Sequence, residues 1–248
     1  MIKRIIEGFG KYTLTMLRSF KKPDNFRYFT KLIVEEIDLI GIQSLPLISI
    51  VSIFMGAVIS LQFSNNTDTP LIPDYTVGFA ARQSIIYEFS TTIIALILCG
   101  KVGSNIASQL GSMRISEQVD ALEVMGINSA NFLILPKIIG FVFIMPFMVL
   151  ISMCLSIGGA YLSVVKTGMI THEDFIFGLQ LDFDPYDITY ALTKTVVFAF
   201  LISSISAFQG YNTVGGSNEV GRSSTNAVVY SIFAVLLSNL VITSIMLL

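Results

Sequence analysis

Residues 100–126 read GKVGSNIASQLGSMRISEQVDALEVMG, a polar stretch that glycines punctuate in a chain that is otherwise mostly apolar. Two strongly apolar runs flank it, one ending at Gly100 and the other beginning near residue 138. We expect such a polar connection to lie outside the bilayer, because unpaired polar groups are costly in hydrocarbon. The stretch therefore separates two membrane spans, and we expect a partner outside the membrane to bind it.

The composition of the whole chain also indicates a membrane protein. Of its 248 residues, 53% are hydrophobic and 13% are charged, and the mean hydropathy is +0.75. A soluble domain carries roughly 25% charged residues. We therefore predict an all-α integral membrane protein, and we expect no nucleic-acid partner.

Five apolar runs are long enough to cross a bilayer, which takes about 20 residues of helix. They cover roughly residues 42–63, 82–100, 138–165, 192–209 and 227–247. The third run is too long for a perpendicular crossing, and it contains Pro146 and the pair Gly158 and Gly159. A tilt or a kink would absorb the excess. A division into two short re-entrant pieces is the alternative.

The first 41 residues differ from the rest of the chain. Their apolar residues recur at spacings of three, four and seven with basic residues between them, and Pro23 and Asp24 interrupt the pattern. This periodicity predicts two amphipathic helices that lie in the membrane interface, the second ending at Gly41. We therefore divide the chain into interfacial helices at 1–41 and a transmembrane domain at 42–248.

The distribution of basic residues predicts the orientation. With the N-terminus inside, the cytoplasmic segments hold 12 of the 15 Lys and Arg residues, and the outer segments hold Arg82, Lys166 and Lys194. Cytoplasmic loops carry the excess of Lys and Arg. We predict a cytoplasmic N-terminus and a periplasmic C-terminus, which places residues 100–126 in the cytoplasm.

Within the central stretch, residues 112–125 have helical periodicity. Met113, Leu122 and Met125 fall on an apolar side, and Glu117, Asp120 and Glu123 fall on an acidic side. Gly111 and Gly126 suit the two ends of a helix. Such a helix can dock on a motor subunit, but the pattern alone is equally typical of an ordinary interfacial loop helix.

Two runs of sequence resemble a known family. The run from Cys99 to Gly126 and the later run GYNTVGGSNEVGRSSTNAVV at 210–229 are similar to the signatures of the MlaE (YrbE) family of ABC-transporter permeases. The resemblance implies that residues 111–126 form a cytoplasmic coupling helix for an ATPase. The coupling residues that it implies are Gly111, Met113, Arg114, Glu117, Gln118, Asp120, Leu122 and Met125.

The resemblance also implies a function and partners. Two copies of the chain would form the membrane core of a transporter that moves phospholipids between the inner and outer membranes and maintains outer-membrane lipid asymmetry. Its partners would be a cytoplasmic P-loop ATPase (MlaF-like) and an MCE-domain protein (MlaD-like). The chain has no GxxxxGK[ST] loop, so we expect ATP and Mg to bind to the ATPase and no cofactor to bind here.

Glu88 stands alone in the apolar run YEFSTTIIALILCG at 87–100. An ionisable group at membrane depth is costly and marks a functional site by default. The resemblance places Glu88 in the lipid-binding cavity, with Tyr87 where the family has Arg, and we add Arg82 to this substrate cavity. The alternatives are that Glu88 snorkels to the outer interface and that Arg82 is an interfacial anchor.

The remaining candidate residues favour plain structural roles. His172 has no second His or Cys nearby, so no metal site is expected. We predict that the chain has no catalytic residue. We also predict that Cys99 and Cys154 are buried thiols. Gly56 and Ser60 form a small-residue face that suits either a dimer interface or close packing inside one subunit. A secondary transporter and a membrane scaffold are the rival functions.

Overall fold

The structure, a computed structural model, describes residues 2–21, 26–67 and 72–246, and the side chains of residues 7–21, 29–67 and 72–246. Every regular element in these ranges is a helix, as predicted. The first part of the chain contains α1 (Ile2–Ser19), α2 (Phe26–Glu36), α3 (Leu45–Asn66), α4 (Tyr75–Ser84), α5 (Ile94–Leu98) and α6 (Ser104–Ile115). The second part contains α7 (Gln118–Val124), α8 (Ser129–Lys166), α9 (His172–Gln180), α10 (Pro185–Tyr211) and α11 (Ser217–Met246).

Several of these helices join into longer ones through segments of different pitch. A π-helical turn and a 3-10 turn at 37–44 connect α2 to α3. Wider π-helical segments, Ile85–Ile93 and Cys99–Gly103, connect α4 to α5 and α5 to α6. Five continuous helical stretches are long and apolar enough to cross a membrane: Phe29–Asn66, Tyr75–Ile115, Ser129–Lys166, Pro185–Tyr211 and Ser217–Met246. The predicted number of spans is confirmed.

The structure refines two details of the spans. The second predicted interfacial helix leads directly into α3, because the helical stretch is continuous through Gly41. A Cβ at Gly41 would lie 2.5 Å from Cγ1 of Ile144, so this glycine allows close packing and does not end a helix. The third run is one helix of 38 residues that continues past Pro146, and the alternative of two re-entrant pieces is not observed.

Contacts divide the chain into two compact units. The first comprises residues 1–43, 95–144 and 197–244, and the second comprises residues 44–94, 145–196 and 245–248. In the first unit, α1 packs against α10: the Tyr12 hydroxyl donates to Ser204 Oγ at 2.8 Å, and its ring meets Phe208 edge to face. Asn131 Nδ2 on α8 donates to the carbonyls of Ser19 and Lys21, which fixes the end of α1.

The second unit is built on a close contact between α3 and α8. A Cβ at Gly56 would lie 1.8 Å from the Ser156 carbonyl oxygen, and a Cβ at Gly159 would lie 2.2 Å from that of Ile53. The Ser60 hydroxyl lies 2.7 Å from Ser163 Oγ in the same contact. The small-residue face of Gly56 and Ser60 therefore serves packing inside one subunit, because α8 occupies it.

The two cysteines lie in different surroundings. Cys99 is fully buried, as predicted, but Cys154 on α8 is exposed. The apolar residues around Cys154 suggested burial, but an apolar position on a spanning helix can equally face outward. The prediction of a buried thiol at Cys154 is wrong.

Candidate functional site

The second unit contains a network of polar side chains around Glu88. Glu88 lies in the π-helical segment Ile85–Ile93, and π-helical turns are rare and frequently occur at functional sites. Lys194 of α10 donates from Nζ to Glu88 Oε1 at 3.0 Å, and Thr92 donates from Oγ1 to Oε2 at 2.8 Å. The side chain of Lys194 is 0% exposed and that of Glu88 is 44% exposed. In this ion pair, Lys194 is therefore fully buried and Glu88 is partly exposed.

Lys194 uses its hydrogen-bonding capacity fully. Besides Glu88, its ammonium group donates to the Tyr87 carbonyl at 3.0 Å and to the Tyr190 hydroxyl at 3.1 Å. An ammonium group has three N–H donors, so each has an acceptor. The Nζ atom also lies 4.8 Å from the centre of the Tyr190 ring, within cation–π range. Because these contacts satisfy the buried charge, Lys194 fixes the position of Glu88.

Sequence reasoning missed Lys194. The count of basic residues treats it as an outer cation, although residue 194 falls inside the predicted span 192–209. A signal was present, because opposite charges inside two spans usually pair with each other. The sequence does not show which sides of the two helices face each other. That contact brings together two residues that are 106 positions apart.

Tyr87 joins the same network. Its hydroxyl donates to Asp187 Oδ1 at 2.8 Å, and its ring meets that of Tyr190 edge to face at 5.6 Å between centroids. Asp187 lies in the first turn of α10, where it is buried. The structure therefore groups Tyr87 with Glu88 in one polar network.

Arg82 lies apart from this network. Its Nη1 donates to the carbonyls of Leu179 at 2.7 Å and Leu181 at 2.8 Å, and its Nη2 donates to that of Asp182 at 3.2 Å. These carbonyls lie in the last turn of α9 and just after it, where a cation complements the helix dipole. Arg82 is 2% exposed. Its hydrogen bonds go to α9 and the residues after it, not to the Glu88 carboxylate.

The predicted coupling segment has two helices in place of one. Instead of a helix over 112–125, α6 continues through Gly111 to Ile115, and α7 begins at Gln118. Glu117 between them has φ 60, a left-handed backbone that non-glycine residues rarely adopt. Nothing in the residue types at 116–117 indicates this break. The predicted end at Gly126 is confirmed: its φ is 79, and Ile127 N–H donates to the Leu122 carbonyl in a Schellman motif.

Small residues of α6 allow it to pack directly on the backbone of α10. Gly103, Ala107 and Gly111 recur every four residues and share one face of the helix. A Cβ at Gly103 would lie 2.9 Å from Ser206 Oγ, and a Cβ at Gly210 would lie 2.5 Å from the Ala107 carbonyl oxygen. Because there is little room between the two helices, α6 and α10 must move together in this part of the first unit.

A buried lysine connects α6 to two further helices. Lys137 of α8 donates from Nζ to Gln109 Oε1 of α6 at 2.6 Å, and it forms an ion pair with Glu36 Oε1 of α2 at 2.5 Å. The Lys137 side chain is almost fully buried. Charged groups at such a position are costly unless they are paired, so the three helices are held in a specific arrangement.

The acidic side of the coupling segment is mostly occupied by the chain itself. Asp120 accepts from Arg114 Nη1 at 2.6 Å across the turn. Glu123 Oε1 accepts from Ser129 Oγ at 2.8 Å and from the Tyr211 hydroxyl at 3.2 Å. These bonds fasten α7 to the start of α8 and the end of α10, while Glu117, Asp120 and Glu123 remain exposed.

The residues at the end of α7 point outward instead. Val124 is 89% exposed and Met125 is 65% exposed. Glu117 and Gln118 are also exposed, whereas Met113 and Leu122 are half-buried and Gly111 is buried. We call Val124 and Met125 the α7 tip. An exposed apolar pair on a helix that its own hydrogen bonds hold rigid is typical of a protein-binding surface.

No group of three or more His, Cys, Asp and Glu side chains among the described residues is arranged to hold a metal ion. His172 Nδ1 lies 3.1 Å from the Tyr161 hydroxyl at the start of α9. The two candidate regions in this chain are therefore the ion pair of Glu88 and Lys194 in the second unit and the α7 tip in the first.

Comparison with known proteins gives consistent matches over nearly the whole chain. The family model described as "Permease MlaE" matches residues 33–245. A probable ABC transporter permease protein of Rickettsia bellii is 32% identical over 97% of this chain and 92% of its own length. The intermembrane phospholipid transport system permease protein MlaE of Haemophilus influenzae is 26% identical over 99% and 98%. The chloroplastic protein TRIGALACTOSYLDIACYLGLYCEROL 1 of Arabidopsis thaliana is 30% identical over 85% of this chain and 60% of its own length.

Proposed function

Because this chain belongs to the MlaE permease family, we propose that it is the membrane subunit of an ABC transporter that moves phospholipids between the inner and outer membranes and so maintains outer-membrane lipid asymmetry. A separate ATPase binds ATP and Mg and drives the transport, and this chain itself catalyses no reaction. The Haemophilus influenzae relative, which is named as an intermembrane phospholipid transport permease, supports this substrate class.

The α7 tip is the observation that carries the proposal. An ATPase in the cytoplasm needs a rigid contact on the permease to transmit its conformational change. A flexible contact would move without displacing the membrane helices. Arg114, Ser129 and Tyr211 hold the polar residues of α7 in place. The tip is left exposed, and an apolar cleft of the ATPase suits it.

Movement of the tip has a direct route into the membrane helices. α7 follows α6 after a two-residue turn, and α6 packs against the backbone of α10 at Ala107 and Gly210. α10 also carries Lys194, the partner of Glu88. We propose that a shift of α10 changes the polar contacts around Glu88, which lines the lipid cavity together with Tyr87.

The lipid cavity requires a second copy of the chain in this proposal. Lipid tails need an apolar enclosure, and a homodimer can form one at its two-fold axis. An MCE-domain protein on the periplasmic side would receive or supply the lipid. The count of basic residues places the N-terminus and the α7 tip in the cytoplasm and the C-terminus in the periplasm of a protein of the bacterial inner membrane.

The test is made on the complex purified from its own host membranes. We substitute Val124→Asp in the α7 tip and use Val214→Asp, an equally polar change at another highly exposed valine of the first unit, as the matched control. A desolvated anchor at a protein interface contributes 2 kcal/mol or more, so Val124→Asp should weaken ATPase binding by about 30-fold. Native mass spectrometry measures the subunits, and fluorescent phospholipid transfer measures transport.

Two copies of the chain with two ATPase subunits and bound phospholipid are the expected composition. Val124→Asp should lose the ATPase subunits and ATP-driven transfer, while Val214→Asp retains both. A chain that purifies without an ATPase, or a Val124→Asp complex that transfers lipid at the normal rate, would refute the coupling role and favour a membrane scaffold.

A further inference from the structure

A cavity of about 260 Å³ lies in the second unit, separate from the Glu88 network. Its walls are apolar side chains of α8, of the π-helical segment at 85–93 and of the residues around the end of α9. They include Ile86, Leu150, Met153 and Phe183. Arg82 is the charged residue in the lining of this cavity. Glu88 and Lys194 do not line the cavity.

Arg82 has hydrogen-bonding capacity that the described residues do not use. A guanidinium group has five N–H donors, and three of them bond the carbonyls of Leu179, Leu181 and Asp182. The Nε–H donor is buried and has no acceptor among these residues. Two of the five donors therefore remain, among them the buried Nε–H, and a guanidinium with free donors binds a carboxylate or phosphate group well.

The charge of Arg82 is also incompletely offset. None of the ion pairs formed by the described residues includes it. The carboxyl end of α9, which Arg82 caps, supplies roughly half an elementary negative charge. The rings of Phe79 and Phe183 lie 5.2 Å and 5.6 Å from Cζ, and Phe183 itself is well exposed.

We propose that this cavity binds one acyl chain of a membrane phospholipid and that Arg82 binds its phosphate. The volume of the cavity favours a single acyl chain over a whole lipid molecule, because pockets that enclose a whole drug-sized ligand measure roughly 300–1,000 Å³. An apolar chain suits the lining, and a phosphate supplies the acceptors and the negative charge that Arg82 lacks. The proposal depends on the chain being a membrane protein and does not require the transport function.

The two cysteines provide the first measurement. Cys154 is exposed and lines the cavity, whereas Cys99 is fully buried. A maleimide should therefore label Cys154 in the folded full-length chain, and unreactive Cys99 reports that the fold is intact. The probes are palmitoyl lysophosphatidic acid and monopalmitoylglycerol, which have the same tail and differ by the phosphate. We expect lysophosphatidic acid to slow labelling about tenfold more than monopalmitoylglycerol, because charge-assisted hydrogen bonds add to the affinity.

The second measurement counts bound lysophosphatidic acid by native mass spectrometry in two tryptophan variants. Leu150→Trp fills the cavity at a wall residue that is 36% exposed, and Ile151→Trp is the control on the same helix, 40% exposed and outside the cavity lining. Arg82 is left unchanged because it fastens the end of α9. We expect one bound molecule in the unsubstituted chain and in Ile151→Trp, and its loss in Leu150→Trp.

The alternatives give different results. Equal protection of Cys154 by both amphiphiles would overturn the role of Arg82. It would mean that the cavity binds the acyl chain alone. Absence of protection, or retention of the bound molecule in Leu150→Trp, would overturn the cavity as the site.

Discussion

Single residues carry most of the chemistry that we assign to this permease. Glu88 could be identified from the sequence because an acid in an apolar run is conspicuous at any position. Its partner could not, because the pairing with Lys194 depends on which faces of two helices meet. The partners of Arg82 could not be identified for the same reason. They are backbone carbonyls at the end of α9, which no residue type in the sequence reveals.

The ion pair predicts unequal effects of removing each partner. Glu88→Gln leaves the fully buried Lys194 charge without a counter-charge, and we expect a loss of about 1–3 kcal/mol in stability, reduced because Glu88 is partly exposed. Lys194→Met removes the buried charge and leaves a partly exposed carboxylate that water can reach, so it should cost less. Thermal loss of the helical circular dichroism signal measures both. A larger loss for Lys194→Met would contradict this account, and Glu88→Gln with Lys194→Met should be more stable than Glu88→Gln alone.

Glu117 offers a second prediction at this scale. Its left-handed backbone costs about 1 kcal/mol for a residue with a Cβ, and glycine avoids this cost. Glu117→Gly should therefore preserve or slightly increase stability, whereas Glu117→Val should decrease it by about 1–2 kcal/mol. Transport by the Glu117→Gly complex then separates the two roles of this residue: normal transport means that the turn matters, and lost transport means that the carboxylate binds the ATPase.

At the scale of helices, the sequence predicted the number of spans and their order but not their ends. Apolar length is enough to identify a span, but a helix continues into polar residues for as long as its hydrogen bonds are satisfied. α6 therefore runs past Gly111, and α2 joins α3 across Gly41. Glycines at 41, 56, 111 and 159 mark close contacts between helices, a role that the sequence alone does not distinguish from a helix end.

The adjacent glycines of α8 make this distinction testable. A Cβ at Gly159 would lie 2.2 Å from the Ile53 carbonyl oxygen, whereas a Cβ at Gly158 has no atom within 4 Å. Gly159→Ala should destabilise the protein by about 1–3 kcal/mol through overpacking. Gly158→Ala should be neutral or stabilising by up to about 1 kcal/mol, because alanine favours the helix. Thermal unfolding of the two variants gives the answer, and similar melting temperatures would mean that α3 and α8 separate easily.

For the whole molecule, composition and charge already predicted the class of protein, and the family resemblance predicted its place in a transporter. The cavity beside Arg82 was beyond sequence reasoning, because it arises from the packing of three separate segments. Its lining residues are ordinary apolar residues of spans and loops, and nothing in their spacing marks them.

The predicted orientation can be checked on intact cells. In a Cys154→Ser background, Lys166→Cys should react with a membrane-impermeant maleimide from the periplasmic side, because the distribution of Lys and Arg predicts that the end of α8 faces the periplasm. Val214→Cys should react after the inner membrane is permeabilised. Cys99 is buried and should remain silent in both. The opposite labelling pattern would invert the molecule and place the α7 tip away from ATP.

The π-helical segment at 85–93 implies that the position of Glu88 depends on the number of residues as well as on their identity. Each residue of an α-helix turns the chain by about 100°, and a π-helical turn takes in more residues than an α-helical one. Deleting one residue here would tighten the helix and rotate Glu88 away from α10 without changing any side chain. Relatives that lack this wider segment should therefore show a one-residue gap in alignment at this point.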